Sequence, residues 1–123
     1  MVEDRVTSGK RIAQLLSSEL SGRDRGTLGG VSVVDADPDA EPVPEGSVAY
    51  AVAYREERVG TVRLYPEAAE LSVADRAGLA ERVADAVEGP DLAVTEGGAI
   101  RIESGAAVKR AVDALVVGLA DAE

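Results

Sequence analysis

The stretch Val48-Ala-Tyr-Ala-Val-Ala-Tyr54 alternates between a large side chain and alanine, and it decides the fold class. Successive side chains of a β-strand point to opposite faces. The pattern therefore predicts a strand with its valines and tyrosines on one face and its alanines on the other. A solvated face would carry polar side chains, which alanine does not supply. We therefore expect both faces of this strand to be covered, one of them by another subunit.

The segments around this strand predict the rest of a sheet. A hairpin loop is expected at Arg55–Arg58, and the partner strand at Val59–Tyr65 is stopped by Pro66. A charged loop with three prolines, Asp35–Gly46, precedes the first strand of the hairpin. Three shorter strands are predicted at Val31–Val34, Leu92–Thr95 and Ala99–Glu103.

Apolar residues at helical spacing predict three helices. They cover about Glu3–Leu20, Val73–Val87 after an N-cap at Ser72, and a last segment from an N-cap at Ser104 to about Ala120. The order is α-β-β-β-α-β-β-α, and adjacent strand runs favour antiparallel pairing. The expected architecture is one α+β domain over residues 1–123, with three helices on an antiparallel sheet of four to five strands.

The composition indicates adaptation to high salt. The chain has 23 acidic and 13 basic residues, a formal charge of −10, no phenylalanine or tryptophan, and only two lysines. In about 1 M salt the Debye length is about 3 Å, so repulsion among surface carboxylates is largely screened. The same repulsion opposes the compact state in dilute buffer. An ordinary acidic protein is the alternative interpretation.

The residue types present exclude several kinds of chemistry. Without histidine or cysteine, Ser-His-Asp and Cys-His catalysis and imidazole or thiolate metal sites are impossible. We predict no catalytic residue, no cofactor and no metal site. The chain shows neither a secretory signal nor an apolar run long enough to span a membrane, so a cytoplasmic protein is expected.

Two segments imitate ligand-binding loops. The acidic residues of Asp35–Glu41 resemble the start of a calcium loop, but Ala40 and Gly46 occupy the positions that require glycine and glutamate. The glycine-rich segment Ser21–Gly30 leads from a helix into a strand, whereas phosphate loops lead from a strand into a helix. We interpret the first as a solvated acidic loop and the second as a connection.

The scarce basic residues form the only predicted contact site. Two Lys-Arg pairs each follow a Ser-Gly dipeptide, and the site consists of Lys10, Arg11, Ser104, Gly105, Lys109 and Arg110. If the first and last helices lie side by side, these residues make one positive patch for an anion or an acidic partner. The free amides after Ser104-Gly105 suit an anion. Ordinary ion pairing, such as Arg110 with Asp113, is the alternative.

The two segments that carry these pairs also carry a family resemblance. Residues 4–20 and 103–115 resemble segments of a small family of uncharacterised haloarchaeal proteins. The resemblance implies a haloarchaeal cytoplasmic protein, and it implies no catalytic residue, cofactor or partner.

Three function classes follow from the sequence. The first is a non-enzymatic interaction or assembly module, whose partner is an unidentified protein or a second copy of the chain. The second is a protein that binds nucleic acid or an anionic ligand through the two Lys-Arg pairs, although the net charge disfavours nucleic acid. The third is a hydrolase that uses only carboxylates and an oxygen-bound metal.

Overall fold

The structure is a computed structural model and describes residues 8–21, 30–37, 39–74, 78–95 and 98–121. Its helices are α1 (Gly9–Ser21), α2 (Leu79–Ala86) and α3 (Val108–Asp121), and a 3₁₀ turn, Gly105–Ala107, precedes α3. The strands are β1 (Val31–Val34), β2 (Ser47–Tyr54), β3 (Glu57–Tyr65), β4 (Ala68–Val73), β5 (Leu92–Val94) and β6 (Ile100–Ile102). None of the described helices has the length and apolar character needed to cross a membrane.

The described strands form one antiparallel sheet of six, in the order β1-β2-β3-β4-β6-β5. All three helices contribute to one cluster of buried apolar side chains on one face of this sheet. The strands contribute alternate residues to that cluster, among them Tyr50, Val52, Val62 and Leu64. The α+β prediction is confirmed, but the sheet has six described strands where four to five were expected.

The additional strand is β4, whose last two residues, Ser72 and Val73, lie where the sequence predicted the start of the second helix. Pro66 and Glu67 form a tight turn, so the chain returns directly to pair with β3. Ser72 and Val73 therefore lie in a strand, and α2 begins only after Gly78, whose φ is 79°. The N-cap prediction for Ser72 is wrong because pairing with β3 extends through that residue.

A β-bulge in β2 changes the predicted strand face. The register shifts between Val48 and Tyr50, so that Val48 pairs with Arg63 while Tyr50 pairs with Val62. An extra residue in one strand reverses the direction of the side chains beyond it. Val48 is consequently 48% exposed and lies on the face opposite to Tyr50, contrary to the prediction.

The β2–β3 hairpin turn is shorter than predicted. Only Arg55 and Glu56 form it, with positive φ angles of 52° and 72°. Two consecutive positive φ angles are typical of the type I′ turn, whose twist matches that of the flanking strands. Arg58 therefore belongs to β3.

Gly9, the first residue of α1, lies against the turn between β3 and β4. Its amide donates to the carbonyl of Pro66 over 3.3 Å. A Cβ at this position would overlap the carbonyl oxygens of Tyr65 and Ala68, so only glycine fits. The predicted helix start at Glu3, and residues 22–29 of the glycine-rich segment, lie outside the described residues.

Candidate functional site

The two residues of the first Lys-Arg pair lie on α1, and each has a partner among the described residues. Lys10 Nζ lies 3.3 Å from Glu41 Oε2 in the loop between β1 and β2. The guanidinium of Arg11 donates to Gln14 Oε1 over 3.3 Å, one turn along the same helix. Lys10 is therefore directed at this loop, not at α3.

The second pair contacts a different part of the chain. The guanidinium of Arg110 donates to the carbonyl of Pro90 and lies against Gly89, in the connection between α2 and β5. The sequence suggested Asp113 as its partner. Lys109 is exposed on α3. Although α1 and α3 pack against each other, Lys10 and Arg110 thus reach separate loops.

Ser104 and Gly105 lie where the last helical segment begins. Gly105 opens the 3₁₀ turn, and Ser104 is only 2% exposed. The Ser104 hydroxyl makes no capping hydrogen bond, and its oxygen is buried without a partner among the described residues. Because that oxygen is inaccessible, a ligand at the surface would not contact it. The six predicted residues remain a hypothesis as a binding site.

The sheet face opposite to the helices, which we call the open face, is chemically distinct. None of the described helices packs on it. It carries small side chains, long charged side chains, and the larger side chains of Val34, Val48 and Tyr65. The small ones are Ser32, Ala51, Ala53, Thr61 and Ser72, and the charged ones are Arg58, Arg63, Glu70 and Arg101. Ala51 and Ala53 on this face are nonetheless buried.

An ion-pair network occupies the β4–β6 side of the open face. Arg101 donates to Glu70 Oε2 over 3.1 Å and to Glu103 Oε2 over 3.0 Å. Its guanidinium also lies over the ring of Tyr65, 5.7 Å from the ring centroid. Burial lowers the pKa of the Arg101 guanidinium, but its hydrogen bonds with Glu103 and Glu70 outweigh burial and hold that pKa above its ordinary value.

Arg63 is the exception among the charges of the open face. It lies directly opposite Glu70 in the register of β3 and β4, yet Glu70 bonds to Arg101. Arg58 bonds to Asp35. Arg63 is exposed and has no hydrogen-bond or ion-pair partner among the residues that the structure describes. The face therefore carries one uncompensated cation near its centre, on a chain of charge −10.

A second feature is a cleft of about 290 Å³ between α1 and the β1–β2 loop, which we call the α1 cleft. Its floor is apolar, and its rim carries Lys10, Gln14, Ser17 and Asp37. The loop is attached to the sheet because the amide of Asp37 donates to the carbonyl of Ala49 over 2.8 Å. The floor residues are Ala13, Ala40, Ala49, Tyr50 and Leu64.

Tyr50 connects the floor of the cleft to α1. Its hydroxyl donates to the carbonyl of Ala13 over 2.8 Å. Burial raises the pKa of the Tyr50 hydroxyl above its ordinary value, because the phenolate would be poorly solvated there. At neutral pH this group is a structural donor and not an acid or base.

Among the described residues, no group of three acidic side chains is arranged to hold a metal ion. In the Asp35–Glu41 loop, Asp37 Oδ1 accepts the amide of Asp39 over 3.0 Å, and Glu41 is paired with Lys10. The sequence identified the acids of this loop but did not predict the cleft, because α1 and the loop meet only in the folded chain.

Comparisons with known proteins identify the family of the chain. Neither a curated protein nor a solved structure matches the chain. The match to a protein family extends over residues 1–123, so the chain belongs to DUF7993, a family of unknown function.

Proposed function

We propose that the protein is a non-enzymatic assembly module that pairs with a second copy of itself through the open face. The observation that carries this proposal is the exposed, unpartnered Arg63 in the middle of a sheet face that no described helix covers. A cation in this position gains a partner when an acidic side chain approaches from outside.

The open face supplies that acidic side chain itself. Glu103 is at the edge of the Arg101 network, and its side chain is 47% exposed. In a two-fold pair every contact occurs twice, so a contact of Arg63 in one copy with Glu103 in the other is accompanied by the reciprocal contact. The three arginines of the face are equal in number to its acids, Asp35, Glu70 and Glu103. Arg101 bonds to two of these acids, which leaves Arg63 unpaired within the described part of one copy. Two such faces attract each other locally, although the whole chains repel.

The size of the face sets the expected strength. Strands about 4.8 Å apart, with about 3.3 Å per residue, give a contact on the order of 500 Å² per copy. This is below the roughly 800 Å² per partner of stable interfaces and is typical of transient ones. We therefore expect a weak, reversible dimer.

Sedimentation equilibrium in about 2 M KCl tests the proposal, since salt at that level screens the net repulsion strongly and screens ion pairs desolvated in an interface much less. We expect a monomer–dimer equilibrium that Arg63→Glu weakens at least tenfold. Arg11→Glu is the matched control, because it makes the same charge change on α1, away from the sheet face. A monomer at all concentrations, or equal weakening by the control, contradicts the proposal.

The binding of nucleic acid or an anionic ligand stays the alternative, and it has less support. Lys10 and Arg110, one residue of each predicted pair, already have partners in the described part of the chain. Titration of RNA, DNA and nucleotides against amide chemical shifts in high salt tests it. The absence of shifts at residues 10, 11, 109 and 110 would exclude this alternative.

A further inference from the structure

We propose that the α1 cleft binds an aliphatic α-amino acid. The cleft lies on the helix-covered side of the sheet, so this proposal is independent of pairing through the open face. Its volume of about 290 Å³ is at the lower end of small-molecule sites and therefore fits a small ligand.

The floor selects an aliphatic group. Ala13, Ala40, Ala49 and Leu64 are buried within the fold, and their side chains line the bottom of the cleft. Three of these four are alanines, whose small side chains leave space above them in the cleft. A branched aliphatic side chain would fill that space and leave the water.

The rim selects a zwitterion, because it carries both signs of charge. The ammonium of Lys10 and the side-chain amide of Gln14 are donors that suit a carboxylate. Asp37 lies on the same rim and suits an ammonium group. Its Oδ1 accepts the amide of Asp39, which leaves Oδ2 without a partner among the described residues. A ligand with only a negative charge would be repelled by Asp37, and a ligand with only a positive charge would be repelled by Lys10.

The ligand carboxylate must replace Glu41 at Lys10. Glu41 is 73% exposed, and solvated ion pairs of this kind are weak. Exchange of one carboxylate for another at Lys10 therefore costs little. Glu41 therefore competes with the ligand carboxylate for Lys10. Removal of its charge should strengthen ligand binding, which gives a distinctive test.

Isothermal titration calorimetry of the full chain in about 2 M KCl uses L-leucine as the probe. We expect millimolar binding of L-leucine, and at least tenfold weaker binding of 4-methylpentanoate and of isopentylamine, which each lack one charge. Failure of L-leucine to bind, or equal binding of either analogue, overturns the proposal.

Two substitutions with matched controls in the same loop test the assigned contacts. We expect Asp37→Asn to weaken L-leucine binding about tenfold, while its amide oxygen still accepts the backbone hydrogen bond. Asp39→Asn should leave binding unchanged. We expect Glu41→Gln to strengthen binding severalfold, since Lys10 is then released, and Glu45→Gln to have no effect.

A gain of affinity cannot arise from a damaged fold, so the Glu41→Gln result distinguishes the proposal from unfolding. Unchanged or weaker binding by that variant overturns the role of Lys10. Arg63→Glu should leave leucine binding intact, so failure of the dimer and failure of the cleft are separate results.

Discussion

The two faces of β3 show how one strand serves two environments. Val62 and Leu64 are buried under the helices, whereas Arg63 between them is exposed on the open face. The covered face is built from aliphatic side chains that gain by leaving water. The open face is built from small, charged and a few larger side chains, and Arg63 among them lacks a partner in the described part of one copy. The stability of the domain should therefore depend on the first face, and its association on the second.

The largest effect should come from removing salt, which acts on the whole molecule. At a charge of −10, unscreened carboxylates repel one another, and a core of aliphatic side chains without phenylalanine or tryptophan has little stability to spare. We expect circular dichroism to show unfolding as KCl falls from about 2 M to about 0.05 M. Undiminished stability in dilute buffer would mean that the acidity serves something other than salt adaptation.

The second largest effect should come from one of two neighbouring substitutions in β4, which together compare the contributions of the two faces to stability. Leu71→Ala on the covered face should lower the free energy of unfolding by about 3 kcal/mol, because it leaves a cavity in a packed core. Ser72→Ala on the open face should change it by less than about 0.5 kcal/mol. Urea denaturation in high salt measures both, and similar losses would show that the open face is also packed.

Tyr50→Phe should have a smaller effect, of about 1 kcal/mol, because it removes one buried hydrogen bond to the Ala13 carbonyl. Burial raises the pKa of Tyr50 in the folded chain. Above about pH 10 the unfolded chain ionises this group and the folded chain does not, so the stabilisation present at lower pH is lost as pH rises. The variant should lose less stability than the wild type between about pH 9 and 11. Parallel pH profiles would contradict this account.

Arg63→Gln should have the smallest effect on stability. The side chain has no partner among the described residues, so its replacement should weaken dimerisation but leave the urea midpoint unchanged at protein concentrations where the chain is monomeric. Arg101→Gln is the informative contrast, because it breaks bonds to both Glu70 and Glu103 within one copy. A loss of stability in Arg63→Gln would indicate a contact within the chain.

Much of this fold was predictable because its signals are local. The alternation in β2 and the helical spacing in α1 and α3 depend only on side chains a few residues apart. β4 was missed because Ser72 resembles an N-cap, although Ala69, Leu71 and Val73 alternate as a strand requires. The bulge before Tyr50 was missed because the sequence does not show where pairing shifts.

The candidate sites were less predictable than the fold. Arg63 lacks an ion-pair partner among the described residues because Glu70, which lies opposite to it, bonds to Arg101 instead. This arrangement involves three strands and a register that the sequence alone does not fix. The α1 cleft exists because a loop turns back toward a helix that precedes it in the chain. The sequence did single out Lys10, but the geometry assigns it to that loop and not to a patch shared with α3.

The contact of Gly9 with the β3–β4 turn has a consequence for synthesis in the cell. α1 is made before the carbonyls of Tyr65 and Ala68 that receive it, and α3 is made after both. During translation, the apolar side of α1, with Ile12, Leu16 and Leu20, has nothing to dock on. The nascent chain thus exposes the apolar side of α1 until β3, β4 and α3 have been made, an interval in which chaperone binding would protect it from aggregation.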